Sequence, residues 1–178
     1  MTGSMSLVAM SGLPGAGKST VARALAEALG AVIVSVDSIE DALHRAGLEA
    51  GPQTGLAAYL VAEVVARDAL GLGQSVVVDA ANYVEEARRM WRELARECRV
   101  ELTWFEVVCS DEAMHRHRLV SRDRGFGPSL EPSWEEVKAR HAETEPWAAL
   151  DRDRLVRIDT AAPLDPQLER LHEVDEQP

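Results

Sequence analysis

Residues 12 to 19 read Gly12-Leu13-Pro14-Gly15-Ala16-Gly17-Lys18-Ser19, a G-x-x-x-x-G-K-[ST] spacing whose residue types suit the holding of a polyphosphate. Glycines let the backbone curl into a concave nest with its N–H groups turned inward. Lys18 brings a positive charge to the β- and γ-phosphates, and the Ser19 hydroxyl, followed by Thr20, can ligate Mg²⁺. The ligand implied along Gly12 to Thr20 is a nucleoside triphosphate. Asp37 and Asp79 each close an apolar run. Asp37 could accept a proton from a substrate hydroxyl or hold that hydroxyl in line with the γ-phosphate, its rival role being a helix N-cap. Asp79 stands where a Walker-B aspartate holds Mg²⁺, against the alternative of an ordinary turn residue.

A cluster of arginines completes the set. Arg116, Arg118, Arg122 and Arg124 fall within nine residues, and Arg118 and Arg122, four apart, share a helix face. Guanidinium groups on a lid spanning about 116–132 can clamp a triphosphate and stabilise charge on the transferring phosphoryl group; surface ion pairs with Asp111, Glu112 and Asp123 are the alternative. After Asp79 come Ala80, Ala81 and Asn82, without the Asp-Glu pair that activates water in motor-type ATPases, and no Asn-Lys-x-Asp stretch selects guanine. Hydrolysis as the main reaction and a signalling GTPase are both disfavoured. His115 and His117, two apart, point to different faces of a helix and make a poor metal pair. Trp91 is expected in the core, and Trp134, Trp147 and Tyr59 could line a substrate cleft, although aromatics in a domain with so few of them are more often core anchors. His44, Arg45, Glu143 and Glu145 lie in segments that could face the substrate, and nothing in the sequence ranks them.

These residues need a scaffold, and the hydrophobic pattern supplies one. The run 6–11 reads as a strand buried on both faces, and from Ser19 the residues Val21, Ala24, Leu25, Ala28 and Leu29 keep helical spacing up to a Gly30 stop. The loop therefore opens a helix, where free N–H groups and the dipole favour phosphate. Further strands are expected at 31–36, 74–79, 100–108 and 155–158. Helices are expected at 38–46 and 54–70, which could carry a substrate pocket, then at 83–98, 111–121 and 133–143, where Ser133 and Glu136 form a capping box. A last helix buries Leu164, Leu168 and Leu171. Strands alternating with helices mean an α/β fold, an open doubly wound sheet that binds ligands beyond the carboxyl ends of its strands.

A length of 178 residues, 46% hydrophobic and 28% charged, fits one soluble domain over 1–178 with a short tail at 1–5. No apolar run is long enough to span a membrane and no secretory signal is evident, so a cytoplasmic protein is expected. Cys98 and Cys109 are read as incidental thiols. The net charge of −11, from 19 basic and 30 acidic residues, opposes general binding of nucleic acid. Oligomeric state is not legible.

The assembled motifs resemble the P-loop kinase family that includes the kinase half of polynucleotide kinase and is related to zeta-toxin-like and small-metabolite kinases. The resemblance spans about 7–160. It rests on the Gly12–Ser19 loop, Val36-Asp37-Ser38, the Asp79-x-x-Asn82 strand end and the Arg118-x-x-x-Arg122 pattern. It implies a three-layer α/β/α P-loop NTPase fold with a five-stranded parallel sheet of order 2-3-1-4-5, ATP and Mg²⁺ as cofactors, and phosphoryl transfer to an acceptor activated by Asp37. The expected activity is an ATP-dependent kinase acting on a hydroxyl or nitrogen of a small molecule. Lys18, Arg118 and Arg122 would serve catalysis, and Ser19 and Asp79 the metal. A nucleic-acid 5′-hydroxyl kinase and an ATP-dependent switch without phosphoryl transfer are the alternatives. The chain lacks the basic character of a nucleic-acid kinase, and its acceptor is not carried over from the resemblance.

Overall fold

A computed structural model of the chain describes residues 5–121 and 132–168. Five strands, β1 (Ser6–Ser11), β2 (Val32–Ser35), β3 (Val76–Asp79), β4 (Glu101–Val108) and β5 (Leu155–Asp159), form one parallel sheet of order β2-β3-β1-β4-β5. The two innermost strands by burial, β3 and β1, carry near-continuous buried runs, as a sheet covered on both faces requires. In β1, alternate side chains enter opposite cores. Leu7 and Ala9 pack with Trp91, Leu94 and Trp104 on one face, whereas Val8 and Met10 pack with Val21, Leu25 and Phe105 on the other.

Helix α1 (Lys18–Leu29) lies on the second face and stops at Gly30, whose φ of 60° is open to glycine at little cost. Leu164 and Leu168 join it there, and Leu171 of the expected last helix lies outside the described residues. On the first face lie α2 (Val36–Arg45), α3 (Pro52–Gly71) and α4 (Glu85–Cys98). Pro52 begins α3, where its missing N–H costs nothing. Helix α5 (Glu112–Ser121) is capped by Asp111, whose Oδ1 accepts from Met114 N at 2.9 Å. Helix α6 (Trp134–Ala142) starts with the expected capping box, Ser133 with Glu136.

Two local expectations change. The second strand ends at Ser35 instead of Val36, and Ser35, not Asp37 or Ser38, caps α2, its Oγ accepting from Ser38 N at 3.3 Å. Asp37 therefore sits inside the first helical turn. A short helix α7 (Ala149–Arg152) was not legible in the sequence. It is held by tertiary contacts: buried Asp151 accepts from Trp104 Nε1 at 3.0 Å and from Arg92 Nη1 at 2.8 Å. Trp91 is fully buried, as expected of a core anchor. Trp147 is partly buried, its ring 5.3 Å from that of Trp104. No described helix is long and apolar enough to cross a membrane.

Candidate active site

The loop from Gly12 to Gly17 joins β1 to α1 at the carboxyl edge of the sheet. Its glycines are required by their neighbours as well as by their dihedral angles. At Gly12, φ is 144° and a Cβ would stand 2.2 Å from the Val107 carbonyl oxygen. At Gly17, φ is 96° and a Cβ would come within 3.0 Å of Thr160 Cγ2. The amide of Gly12 donates to Ala81 O at 3.0 Å, tying the loop to the segment after Asp79. Lys18 is buried in the first turn of α1, and its Nζ donates to Leu13 O at 3.1 Å, so the ammonium folds back over the loop. A cavity of about 360 Å³ opens beside it, lined by Gly15, Gly17, Lys18, Ser19, Thr20 and Arg118.

Long-range contacts hold this loop in place. Arg118 of α5 donates to Thr160 Oγ1 at 2.8 Å and to Thr160 O at 3.0 Å. The same hydroxyl lies 2.7 Å from Ala16 O and 3.1 Å from Val108 O. Thr160 thus joins the loop, the end of β4 and Arg118 at one oxygen. No motif in the sequence marks Thr160. His115 Nε2 lies 2.8 Å from Pro14 O, and because a carbonyl only accepts, Nε2 carries the proton. The same imidazole meets Trp134 edge-on with ring centres 5.1 Å apart, so His115 is a buried strut between loop, α5 and α6. Neither role has a local sequence signal.

Asp79 is buried at the end of β3, paired in register with Ser35. Three residues on, Asn82 is fully buried with φ 47°, a conformation asparagine tolerates better than most. Its Nδ2 donates to Met10 O at 2.7 Å, its Oδ1 accepts from Trp91 Nε1 at 3.0 Å, and its amide donates to Tyr59 Oη at 3.3 Å. Arg88, also fully buried, donates to the carbonyls of Asn82, Tyr83, Glu145 and Pro146 and stacks 4.0 Å from the Trp147 ring centre. These contacts fix the turn that follows Asp79.

Asp37 lies on α2 at the same sheet edge, beyond β2. Burial and the nearby Asp37 charge raise the Glu40 carboxyl above the usual carboxylate range, with His44 and Arg140 opposing. Burial also raises the Tyr59 phenol far above its ordinary value, with a smaller contribution from Asp37, so it stays protonated. Tyr59 packs against the core, while its hydroxyl accepts from Asn82 N at 3.3 Å. A second cavity, about 890 Å³, lies beneath α6, with Gly12, Leu13, Tyr83, Glu106, Trp134 and His141 among its walls; Asp37 and Asp79 do not line it. Arg122 and Arg124, and the lid over 116–132 beyond Ser121, lie outside the described residues.

A glycine-rich loop between the first strand and first helix, on a parallel sheet ordered β2-β3-β1-β4-β5, defines the P-loop kinase-like class of α/β proteins. The chain belongs to the AAA_33 family (AAA domain), which matches residues 7–146. It is 32% identical over 168 residues to an uncharacterized protein of Mycobacterium tuberculosis, covering 88% of this chain. The chain spans 32% of that relative's length. Among solved structures, a sugar kinase from Janibacter sp. is 17% identical with a TM-score of 0.70, covering 96% of this chain and 95% of that one. The APS kinase CysC of M. tuberculosis, in complex with AMPPNP and APS, is 19% identical with a TM-score of 0.64, covering 98% and 99%.

Proposed function

We propose that the protein is an ATP-dependent phosphotransferase acting on a small-molecule acceptor. The observation that carries this reading is the cavity at the start of α1, where Gly15, Gly17, buried Lys18, Ser19, Thr20 and Arg118 share one wall. A Cβ at Gly12 or Gly17 would strike Val107 or Thr160, so glycine at these positions lets the loop lie against the end of β4 and the residue just past β5. The solved APS kinase holds an ATP analogue, which supports the same donor here.

In this reading Mg²⁺ would be held by Ser19, which lines that cavity, and by Asp79, buried at the end of β3 on the same sheet edge. No group of three or more His, Cys, Asp or Glu side chains able to hold an ion occurs among the described residues, but an ion shared by Ser19, Asp79 and substrate phosphates needs none. When bound, the ion would neutralise charge on the β- and γ-phosphates. Lys18 and the loop amides bind the donor's phosphates. Arg118, anchored by Thr160, is placed to neutralise charge on them, a role shared in this reading with Arg122. The acceptor hydroxyl attacks the γ-phosphorus as the bond to the β-phosphate oxygen breaks; its proton passes to the Asp37 carboxylate and ADP departs.

The acceptor is assigned to the β2 side of the cleft, beside Asp37, Glu40, Tyr59 and Arg140. A net charge of −11 argues against nucleic acid as that acceptor. A second reading is favoured by the larger cavity beneath α6, which shares Gly12, Leu13 and Ala16 with the loop and has Glu106 in its wall. Incubation with ATP, Mg²⁺ and a pooled metabolite library, followed by mass spectrometry, should reveal a compound gaining a phosphoryl group. Asp37→Asn should lower turnover about 100-fold or more while leaving ATP binding intact. Loss through Glu106→Gln with Asp37→Asn unaffected would move the acceptor to the cavity beneath α6. ATP binding without an acceptor in a broad library, including a 5′-hydroxyl oligonucleotide, would overturn the kinase reading.

A further inference from the structure

Helix α3 is built inside out. Its inward row, Ala58, Ala62, Ala66 and Ala69, is small and buried, with Leu70 and Tyr59 the bulky inward exceptions, whereas Leu56, Leu60, Val61, Val64 and Val65 are 59%, 49%, 43%, 56% and 43% exposed. A helix packed on one side only shows the reverse, with bulky apolar residues inward and polar ones outward. The small inward row lets α3 lie close to β2, β3 and α4, and the bulk is left facing out. Together the five side chains expose on the order of 400 Å², within the size range of the largest apolar patch on a monomer, which is often functional. Nothing in the proposed kinase chemistry uses this face.

We propose that it pairs with the same face of a second copy of this chain. The residues form two ridges of i, i+4 spacing, Leu56-Leu60-Val64 and Ala57-Val61-Val65, with a groove between them, the pattern by which two helices interdigitate. The pattern is self-complementary under a two-fold axis, as an isologous contact requires. An axis passing between Leu60 and Val61 sets Leu60 of each copy against Val61 of the other, and Leu56 against Val65. The same axis sets the Gln53 amide against the Asp68 carboxylate at both ends, so the two exposed polar residues closing the stripe become hydrogen-bonding partners.

Charge selects the same occupant. Between Gln53 and Asp68 the outward stripe carries no charge of its own, and at its flank Arg67 is paired with Glu63 and Glu97. A chain of net charge −11 repels its own copies except across a neutral surface such as this. An anionic membrane is a poor alternative, because interfacial helices carry several Lys and Arg along their flanks and this one carries Glu63 and Asp68 against a single Arg67 that is already paired. With Gln53, Ala57, Asp68 and Leu72 at the rim, the contact approaches the ~800 Å² per partner of a standard interface.

Sedimentation velocity on the full chain, from about 1 µM to about 100 µM, covers the weaker affinities found for interfaces of this size. The weight-average mass should rise from one chain to two, and at lower concentration in high salt, since screening removes the repulsion between acidic copies. Leu60→Glu, at an exposed position, should remain monomeric throughout with an unchanged circular dichroism spectrum. With Cys98 and Cys109 replaced by serine, Val61→Cys should be captured as a dimer by a short bis-maleimide, while Glu93→Cys on α4 should not. A chain that stays monomeric at every concentration, a dimer that survives Leu60→Glu, or equal capture at both cysteines would each overturn the proposal.

Discussion

The hydroxyl of Thr160 shows how much of the site depends on single atoms. It sits within 3.1 Å of Ala16 O, Val108 O and Arg118 Nη1 at once. Thr160→Val keeps the shape, removes the oxygen and leaves Arg118 with the backbone carbonyl just past β5 and the Cys109 sulfur as its partners among the described residues. Hydrogen bonds to charged groups contribute about 1.5–3 kcal/mol, so ATP affinity measured by calorimetry should fall roughly tenfold to a hundredfold. An unchanged affinity would remove Thr160 from the site. Glu40 yields a test by pH. Its carboxyl is raised in the folded protein, first by burial and then by Asp37, so the folded state favours its protonated form. That contribution is present below the ordinary glutamate range and is lost as pH rises through the raised value. Glu40→Gln should therefore stabilise the protein at pH 8 and have little effect near pH 4, as read from urea midpoints. A gain of the same size at both pH values would contradict the assignment. Asp37 was expected at a strand end and lies inside α2, whereas the loop at Gly12 to Ser19, the strand end at Asp79 and the helix that carries Arg118 were legible from spacing, because each belongs to a local pattern. Thr160 and His115 were not, since their partners lie more than 100 residues away in the chain.

Among the elements, the turn after β3 is fixed by Arg88 of α4, whose guanidinium serves only backbone carbonyls, at Asn82, Tyr83, Glu145 and Pro146. This one side chain connects the strand end that carries Asp79 with the segment leading from α6 to α7. Arg88→Met fills similar space but strands those acceptors. At about 1–3 kcal/mol per unsatisfied group, several of them should lower unfolding free energy by roughly 3 kcal/mol or more in a chemical denaturation experiment. A loss under about 1 kcal/mol would mean that water replaces the guanidinium. The helical period of 83–98 foretold α4, and Ser133 with Glu136 foretold the start of α6. Neither pattern revealed that a charged residue of α4 would be fully buried, because periodicity records only that Arg88 is polar. The early end of β2 has a similar origin: Val36 suits a strand, but the Ser35 hydroxyl captures Ser38 N and turns the chain into α2 before Asp37.

For the whole molecule, charge and topology set the terms. Nineteen basic against thirty acidic residues leave a self-repelling surface, so 0.3 M sodium chloride should raise the melting temperature of the chain, by differential scanning fluorimetry, relative to low salt. A decrease would mean that its ion pairs, among them Arg92 with Asp151 and Arg154 with Glu101, outweigh the general repulsion. The sequence by itself determined the α/β alternation, the phosphate loop and its place at a helix start, since these depend on residue type and short spacing along one chain. The strand order 2-3-1-4-5 was legible only through resemblance, as register and neighbours are set by long-range burial. Tertiary structure alone decided that Asp37 and the larger cavity lie at different parts of one sheet edge, that Thr160 and His115 brace the loop, and that the bulky side of α3 faces outward. Each of these depends on which surfaces meet when distant segments pack, and hydrophobic spacing specifies that a face is apolar without specifying what it touches.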